Sequence, residues 1–487
     1  MQKVDFRTRH ALFNVAATRA MEQAAQAALP PHTLMQRAGL AVAQLALALA
    51  PHARRIWIAC GPGNNGGDGL EAAVHLQRWG KQPVLTWLGS ADTAPADAAA
   101  SYQRALDAGV TFSQTPPEQF DLCIDALLGI GAQVREPDGR MADWIGLINA
   151  SKQAVLAVDL PTGLHADTGA VTQLSIKATH TLSLLTLKPG LFTAHGRDAA
   201  GSVWLADLDG DQRTALAQQP VAPTAWLAGA PPAPERLHAS HKGNHGDVAV
   251  VGGAPGMTGA ALLAASAALH AGAGRVFVGL LDGGTLSVDT SQPELMFRPV
   301  DALDLSVMTV VCGCGGGDAV RAQLPKVLSA AALVVIDADA INSIANDTRL
   351  QALLTERSQR GAATVLTPHP LEAARLLGTS AAQVQADRLA VCGQLAERFH
   401  CTVVLKGSGT VMAAPGQTSV INPTGNARLA TAGTGDVLAG LIGARLAGGL
   451  DAFQAACQAV YQHGLAADRW PTERALTAGA LSRLLSN

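Results

Sequence analysis

Short apolar runs alternate with helical stretches along most of this 487-residue chain. Such alternation is typical of parallel strands joined by helices that cover both faces of a sheet. We therefore predict an α/β protein built on parallel sheets. The predicted strands are 55–60, 83–88, 120–124, 154–158, 181–185 and 203–205 in the first half, and 247–251, 275–280, 309–312, 333–336, 364–366 and 402–405 in the second.

Prolines crowd one segment between these two sets of strands. Proline lacks a backbone donor and resists the interior of helices and sheets. With a prior of about 150 residues per domain, we predict two domains, 1–215 and 236–487, joined by a proline- and alanine-rich linker over 216–235. No close repeat relates the halves, so we expect two different three-layer folds of one class.

The composition excludes several classes of partner. Apolar residues make up 48% of the chain, charged residues make up 15%, and the formal net charge is −3. This balance gives no electrostatic basis for binding nucleic acid or an anionic membrane. The longest apolar run, 39–51, is shorter than the roughly 20 residues that cross a bilayer. Residues 1–28 lack the apolar core of a secretory signal, which predicts a cytoplasmic protein. The seven cysteines lack the spacing of a zinc site, so we expect them to be free thiols in a reducing compartment.

The first predicted strand runs into a glycine-rich segment, 61–69, with five glycines in nine residues. Glycines before a helix can form a backbone cradle for phosphate. The segment is neither a Walker loop nor the dinucleotide glycine pattern, so Asn64, Asn65 and Asp68 need their own explanation. The alternative is a surface turn.

Two further strand ends carry a carboxylate, Asp125 and Asp159, followed by glycines or by Thr162. Because ligands of open parallel sheets bind beyond the carboxyl ends of the strands, we expect these groups to lie near the glycine segment. Together with Asn65 they offer oxygen donors that suit a hard cation, and a buried carboxylate pair could shift one pKa towards catalytic use. Taken singly, each aspartate is more typical of a cap or a turn.

In the second half, residues 431–436 form a glycine turn that leads into a helix. The free N–H groups and partial positive charge of a helix start can hold an oxyanion, and Asp436 in the first turn could accept a proton from a substrate hydroxyl. This combination favours phosphoryl transfer to an alcohol. The alternative is an ordinary turn in which Asp436 only complements the helix dipole.

Two other segments follow strands of the second half. Residues 406–410 resemble a nucleotide-binding loop, although such a pentapeptide alone is more often a tight hairpin. His369 lies between two prolines at the end of another strand, and a lone histidine is more often structural.

These motifs, taken in order, carry a resemblance to known families. Segments 61–69, 125–131 and 158–163 are similar to the signatures of NAD(P)H-hydrate epimerases, and the second half resembles the ADP-dependent NAD(P)H-hydrate dehydratases of the ribokinase-like superfamily. The resemblance implies a Rossmann-like first domain and a ribokinase-like second domain. It also implies a repair activity, in which the R and S forms of hydrated NADH or NADPH are interconverted and the S form is dehydrated at the expense of ADP, giving AMP and phosphate.

For the first domain, the resemblance implies Asp125 as a catalytic residue and a potassium ion held by Asn65, Asp125 and Thr162. Ile130 stands where threonine is common in the family, and Thr162 stands where serine is more usual. The implied contacts to the hydrate are Asn64, Asn65, Gly66, Gly67, Asp68, Gly129, Ile130, Gly131, Ala132, Gln133, Val134, Arg135 and Asp159.

For the second domain, the resemblance implies Asp436 as the catalytic base, and ADP and Mg²⁺ as further ligands. The loop 313–317 departs from the family's glycine signature, having lost its proline and leucine. The implied hydrate contacts are Ala261, Gly315, Gly317, His369 and Asp436, and the implied nucleotide contacts are Lys406, Gly407, Ser408, Gly409, Thr410 and Gly435.

Two other functions stay open at this point. One is a kinase for a small alcohol fused to an unrelated binding domain. His369 and two segments that resemble the opening motifs of the dehydratases, 242–246 and 252–261, argue against it. The other makes the first half a non-catalytic scaffold, against which Asn65, Asp125 and Asp159 argue. Because members of the resembled families are often oligomeric, we also expect a homo-oligomer.

Overall fold

The computed structural model of the chain describes residues 1–131, 136–208, 221–232 and 237–485. The chain divides into two compact units, of which the first comprises Met1–Asp5 and His10–Ala225 and the second comprises Phe6–Arg9 and the chain from Trp226 onward. In the described ranges, no helix combines the length and hydropathy that crossing a bilayer would need.

The first unit is built around one sheet. Strands β3 to β9 pair in parallel in the order β9-β8-β7-β6-β3-β4-β5, and β1 adds an antiparallel edge next to β9. The strands of this sheet are β1 (Gln2–Lys3), β3 (Arg55–Cys60), β4 (Gln82–Trp87), β5 (Thr111–Ser113), β6 (Leu122–Ala126), β7 (Ala154–Val158), β8 (His180–Leu184) and β9 (Ser202–Ala206). The short strand β2 (His10–Leu12) is not part of it. The helices are α1 (Val15–Ala27), α2 (Thr33–Leu49), α3 (Asn64–Arg78), α4 (Ala96–Asp107), α5 (Gly139–Ala150) and α6 (Gly196–Ala199).

Helix α2 buries one apolar stripe, as its spacing predicts, including Leu34, Val42 and Leu45. A Cβ at Gly39 would lie 2.2 Å from Glu71 Cβ of α3, so glycine permits the close approach of these two helices. Strands β3, β6 and β7 are buried along most of their length, which accounts for their continuous apolar runs.

The second unit also has a mainly parallel sheet, in the order β13-β12-β11-β14-β15-β16-β17-β18-β19-β10. Only β18 among these strands runs antiparallel to its neighbours. The strands are β10 (Ala225–Leu227), β11 (Asp247–Gly252), β12 (Arg275–Leu280), β13 (Met296–Phe297), β14 (Thr309–Cys312), β15 (Leu333–Ile336), β16 (Ala363–Leu366), β17 (Thr402–Leu405), β18 (Val411–Ala413) and β19 (Val420–Ile421).

Helices of the second unit follow most of these strands and bring their N-termini to the carboxyl ends of the sheet. They are α7 (Thr258–His270), α8 (Val320–Ala330), α9 (Ala338–Ala345), α10 (Thr348–Gln359), α11 (Pro370–Leu377), α12 (Ala381–Ala386), α13 (Arg388–Phe399), α14 (Thr434–Ala447), α15 (Ala452–Asp468) and α16 (Ala478–Arg483).

The segment expected to be a linker contains a strand. Within 216–235, β10 pairs in parallel with β19, through the register Trp226↔Val420 and Leu227↔Ile421. The backbone N–H of Trp226 donates to Ser419 O at 2.9 Å, and that of Ala228 donates to Ile421 O at 2.9 Å. The surrounding prolines mask this short run in the sequence. Residues 216–220 and 233–235 of the expected linker lie outside the described residues.

Close packing of two helices shapes the core of the second unit. Helix α14 lies against α7, and a Cβ added to Gly440 of α14 would come within 2.0 Å of the backbone oxygen of Ala264. The alanines of α7, including Ala261, Ala264 and Ala268, are fully buried. Small residues on both helices therefore set the distance between their axes.

We predict that Gly440→Ala destabilises the second unit by about 1–3 kcal/mol, because the added methyl group overlaps backbone that cannot move away. The matched control is Gly393→Ala in the interior of α13, where an added Cβ meets nothing within 4 Å. That control should stabilise the unit by about 0.5–1 kcal/mol through helix propensity. Thermal unfolding of both variants tests the pair, and equal shifts of the melting temperature would contradict the packing argument.

Candidate functional site

A cleft of about 530 Å³ lies at the carboxyl ends of β3, β6 and β7 in the first unit. It brings together segments that are distant in sequence. The sequence-predicted residues that line it are Asn64, Asn65, Asp68, Gly129, Ile130, Gly131 and Asp159. Gly66 and Gly67 are buried in α3 beneath the cleft, and Ala132, Gln133, Val134 and Arg135 lie outside the described residues.

The glycine-rich segment is shorter as a loop than its sequence suggests. Helix α3 already begins at Asn64, so most of 61–69 is helical. A Cβ at Gly61 would lie 1.8 Å from Leu127 O, and a Cβ at Gly66 would lie 2.0 Å from Gly61 O. These two glycines are therefore required by close backbone packing, which brings the first turn of α3 against the end of β6.

Asp125 is fully buried at the end of β6 and is held by three donors. The backbone N–H of Thr162 donates to its Oδ2 at 2.9 Å, and the Thr162 hydroxyl donates to its Oδ1 at 2.7 Å. The backbone N–H of Leu127 also donates to Oδ1, at 3.2 Å. Burial raises the pKa of Asp125 to about 6, although the Thr162 and Leu127 hydrogen bonds oppose that shift.

Asn65 lines the cleft. Its Nδ2 is inaccessible to solvent and has no hydrogen-bond partner among the described residues. A Cβ at Gly129 would lie 2.9 Å from Asn65 Oδ1, so glycine at 129 leaves room for this amide. A 180° rotation of the amide would exchange its oxygen and nitrogen. Asn65, Asp125 and Thr162 carry oxygen atoms of the kind that a hard cation prefers.

Asp159 is held in a strained conformation at the wall of the cleft. Its φ of +65° is in the left-handed region, which is rare for a residue other than glycine and is typical of functional sites. The Lys188 ammonium forms an ion pair with Asp159 Oδ1 and donates to Leu184 O at 2.8 Å, and its side chain is fully buried. Sequence reasoning missed Lys188, which lies in an apolar run with no local signal.

Two other carboxyl groups line the cleft. Burial, followed by the charge of Asp159, raises the pKa of both Glu22 and Asp68. Glu22 was not predicted from the sequence, because it belongs to α1, which precedes the parallel strands of the sheet. The cleft therefore combines several partly desolvated carboxyl groups with one buried ammonium, an arrangement that suits proton transfer.

In the second unit, α14 begins at Thr434 after Gly433, whose φ is +89°, and Asp436 lies in its first turn as predicted. Oxygen atoms of Asp436 and Asp337 and the sulfur of Cys314 all lie within 4.8 Å of one another. Burial, followed by the charge of Asp337, raises the pKa of Asp436 to about 7. Asp436 is therefore suited to accept a proton near neutral pH.

Lys406 lies between two carboxylates. Its Nζ is 2.7 Å from Asp337 Oδ1 and 3.9 Å from Glu372 Oε2. The Thr367 hydroxyl also donates to Asp337 Oδ1, at 2.6 Å. A Cβ at Gly435 would lie 3.6 Å from Lys406 Nζ, so the lysine reaches the N-terminus of α14.

The segment that follows Lys406 connects the antiparallel strands β17 and β18. The expected hairpin is therefore present at 406–410, and its lysine still reaches the N-terminus of α14. Gly407 and Gly409 have φ values of +137° and +60°. The Thr410 hydroxyl donates to Gly407 O at 3.0 Å, which closes the loop containing Ser408.

His369 is both a helix cap and a group at the edge of this site. Its Nδ1 accepts from the backbone N–H groups of Leu371 and Glu372 at 3.1 and 3.3 Å. Its side chain is 45% exposed, so the ring remains open to a ligand. Burial, followed by the charge of Lys406, lowers the pKa of His369, which keeps the ring neutral.

The remaining predicted contacts have different surroundings. Gly317 lies near the site and donates its backbone N–H to Asp339 Oδ2 at 2.8 Å. Gly315 has a φ of +57° and packs against Met257, since a Cβ there would lie 2.7 Å from Met257 O. Ala261 is fully buried in α7, so its side chain presents no surface to a ligand in this conformation.

Asp337, Cys314 and Glu372 were not predicted from the sequence. Asp337 directly follows β15, the same position that identified Asp125 and Asp159 at other strands. That rule could therefore have found it. Cys314 and Glu372 have no comparable signal in the sequence. Cys314 lies within the glycine loop 313–317, and Glu372 belongs to the capping box of α11.

Both units are thus α/β folds with buried carboxylates gathered at the carboxyl ends of parallel strands, an arrangement typical of enzymes. Comparisons with known proteins give the family of the chain. The family model described as NAD(P)H-hydrate dehydratase matches residues 248–487, and the model described as YjeF-related protein N-terminus matches residues 31–190.

Individual relatives agree with these matches. The bifunctional NAD(P)H-hydrate repair enzyme Nnr of Escherichia coli is 36% identical over 460 residues, which cover 90% of this chain and 85% of the relative. The ADP-dependent (S)-NAD(P)H-hydrate dehydratase of Neisseria meningitidis is 45% identical over 255 residues, or 51% of this chain and 84% of that protein. A crystal structure of the ADP/ATP-dependent NAD(P)H-hydrate dehydratase of Bacillus subtilis is 32% identical, covers 52% of this chain and 92% of that one, and has a TM-score of 0.44. The chain belongs to the family of bifunctional NAD(P)H-hydrate repair enzymes.

We predict that Lys188→Met destabilises the first unit by about 3–5 kcal/mol, because it leaves the Asp159 carboxylate buried without its counter-charge. The matched control is Arg321→Met, which breaks the Arg321–Asp347 pair, where the arginine is mostly exposed. An exposed pair is worth at most about 1 kcal/mol. Urea unfolding of both variants tests the contrast, and a loss no larger for Lys188→Met than for the control would refute the assignment of a tight buried pair.

Proposed function

We propose that this protein repairs hydrated NADH and NADPH with two activities. The first unit interconverts the R and S hydrates, and the second unit dehydrates the S hydrate at the expense of ADP, giving NAD(P)H, AMP and phosphate. The observation that carries this proposal is the meeting of Asp436, Lys406 and His369 at one edge of the second sheet, in a chain whose family has these two halves.

The reaction of the second unit follows from the chemistry of the hydroxyl group. Hydroxide is a poor leaving group, so direct elimination of water from the hydrated ring is slow. Asp436 takes the proton of the hydroxyl, whose oxygen then attacks the terminal phosphorus of ADP while the bond to AMP breaks. The carbon–oxygen bond breaks next, phosphate leaves, and the loss of a ring proton restores the dihydronicotinamide.

Lys406 and the N-terminus of α14 are the groups that meet the nucleotide phosphates. The ammonium supplies a positive charge, and the backbone amides of Gly433, Thr434 and Gly435 stabilise the charge of the transferred phosphoryl group. The Asp337 carboxylate would contribute an oxygen ligand to Mg²⁺, which the phosphates would mainly hold, while Asp436 stays free to act as the base. When bound, Mg²⁺ offsets the negative charge of the transferring phosphoryl group.

In the first unit, Asn65, Asp125 and Thr162 are the residues that would hold potassium, which would supply a positive charge at the end of β6. Asp159 and Asp68 both line the cleft in which the hydrate would bind. Burial raises the pKa of both Asp68 and Asp125, which makes these carboxyl groups candidates for proton transfer in the first unit.

We place the protein in the cytoplasm as a homo-oligomer. All seven cysteines are free thiols, and six of them are buried, which agrees with a reducing compartment. The oligomeric state rests on family resemblance alone, and size-exclusion chromatography with light scattering tests it.

The direct test of the function uses prepared R and S epimers of NADPH hydrate with ADP and Mg²⁺. We expect the absorbance of the dihydronicotinamide to return from both epimers. Recovery from the S epimer alone would reject the epimerase assignment, and no recovery from either would reject the whole proposal.

We predict that Asp125→Ala abolishes turnover of the R hydrate, because the substitution removes the carboxylate and releases Thr162 from its two hydrogen bonds. Dehydration of the S hydrate by the second unit of the same chain should continue and serves as the internal control. Unchanged turnover of both epimers would remove Asp125 from the mechanism.

We predict that kcat/KM for S-hydrate dehydration falls about tenfold for each pH unit below about 7, the pKa of Asp436, and is constant above it. The sign follows because Asp436 must be deprotonated to accept the hydroxyl proton. Asp436→Asn should lower the rate by about 10²–10⁴-fold and leave a residual rate with no inflection near pH 7. An inflection that persists in this variant would assign the titration to another group.

A further inference from the structure

Helix α11 begins with a capping box formed by His369 and Glu372. The Oε2 of Glu372 accepts a hydrogen bond from the backbone N–H of His369 at 2.7 Å, while the His369 ring accepts from the backbone N–H groups of Leu371 and Glu372. This reciprocal arrangement satisfies donors at the helix start and would by itself explain a polar residue at position 372.

Capping does not explain the charge or the burial of Glu372. The next helix, α12, has the same kind of box, in which Gln383 accepts from the Ser380 backbone N–H at 3.1 Å. A neutral and exposed amide is therefore sufficient for this task in the same unit. The Glu372 side chain is only 4% exposed. Burying a carboxylate is costly, and this burial raises the pKa of Glu372 while Lys406 opposes the shift.

Each oxygen of the Glu372 carboxylate faces a different group of the dehydratase site. Oε2 is 3.9 Å from Lys406 Nζ, and Oε1 is 3.3 Å from His369 Nε2. Because Nδ1 of His369 accepts hydrogen bonds, the neutral ring carries its proton on Nε2, the nitrogen that faces this carboxylate. One buried charge thus contacts both the proposed phosphate-binding lysine and the proposed hydrate-binding histidine.

We propose that Glu372 is a positioning residue of the dehydration reaction, an inference that rests on the proposed function. Its carboxylate fixes the orientation of the His369 ring beside the hydrate. It also places a second carboxylate beside the Lys406 ammonium, which already pairs with Asp337. Glu372 touches neither the reacting oxygen nor the phosphorus and acts through these two neighbours.

The test is Glu372→Gln, which keeps the shape of the side chain and an acceptor for the His369 backbone N–H but removes the charge. We expect kcat for S-hydrate dehydration to fall about tenfold. The KM for ADP should not rise, because removing an anion beside Lys406 does not weaken its attraction for phosphate. The melting temperature should stay close to that of the wild type, because the cap is retained.

Gln383→Ala is the matched control. Gln383 occupies the same position in the neighbouring capping box, away from the site, and the substitution removes its side-chain acceptor. It should lower the melting temperature slightly through the lost cap and leave kcat unchanged. A kcat equally reduced in this control would show that helix capping alone affects turnover, and would overturn the inference.

A double-mutant cycle distinguishes positioning from general structural damage. On a His369→Ala background, we expect the loss of kcat caused by Glu372→Gln to shrink at least about threefold, since the ring it orients is gone. An undiminished loss on that background, or a kcat of Glu372→Gln equal to that of the wild type, would overturn the inference. A wild-type protein that leaves the S hydrate unchanged in the presence of ADP and Mg²⁺ would overturn the proposed function, and the inference with it.

Discussion

Carboxylates buried at the carboxyl ends of parallel strands are the constraint on which both candidate sites depend. A buried charge is tolerated only where donors or counter-charges surround it. Asp125 has the N–H and hydroxyl groups of Thr162, and Asp337 has Lys406 and the Thr367 hydroxyl. These partners come from neighbouring strand ends, so satisfying each carboxylate also fixes the loops that form the ligand pocket.

The two units solve this problem in different ways. In the first unit, neutral donors bind Asp125, and the ammonium of Lys188 pairs with Asp159. The carboxyl groups of Glu22, Asp68 and Asp125 have raised pKa values. In the second unit, one ammonium, Lys406, is shared between two carboxylates next to Asp436. The first arrangement suits the exchange of protons, and the second suits the attraction of a phosphate while a base remains close by.

The strands and the residues that follow them could be predicted from the sequence, because apolar runs and the carboxyl-end rule are local signals. Strands 55–60, 154–158 and 309–312 have the predicted bounds, and Asp125, Asp159 and Asp436 lie at strand or helix ends as expected. Lys188, Glu22 and Glu372 could not be found in this way. Their importance comes from tertiary burial beside another charge, which no spacing along the chain encodes. The early start of α3 was also missed, since glycines needed for close packing look the same in a sequence as glycines of a loop.

The strand β10 determines how the second unit can be isolated from the rest of the chain. It covers the side of β19 that faces away from β18, through backbone hydrogen bonds from Trp226 and Ala228. A fragment starting at residue 236 would lose that cover and present a bare row of peptide groups, which is a template for association between copies. A fragment of the second half should therefore retain the tripeptide Ala225–Leu227, which keeps β19 paired.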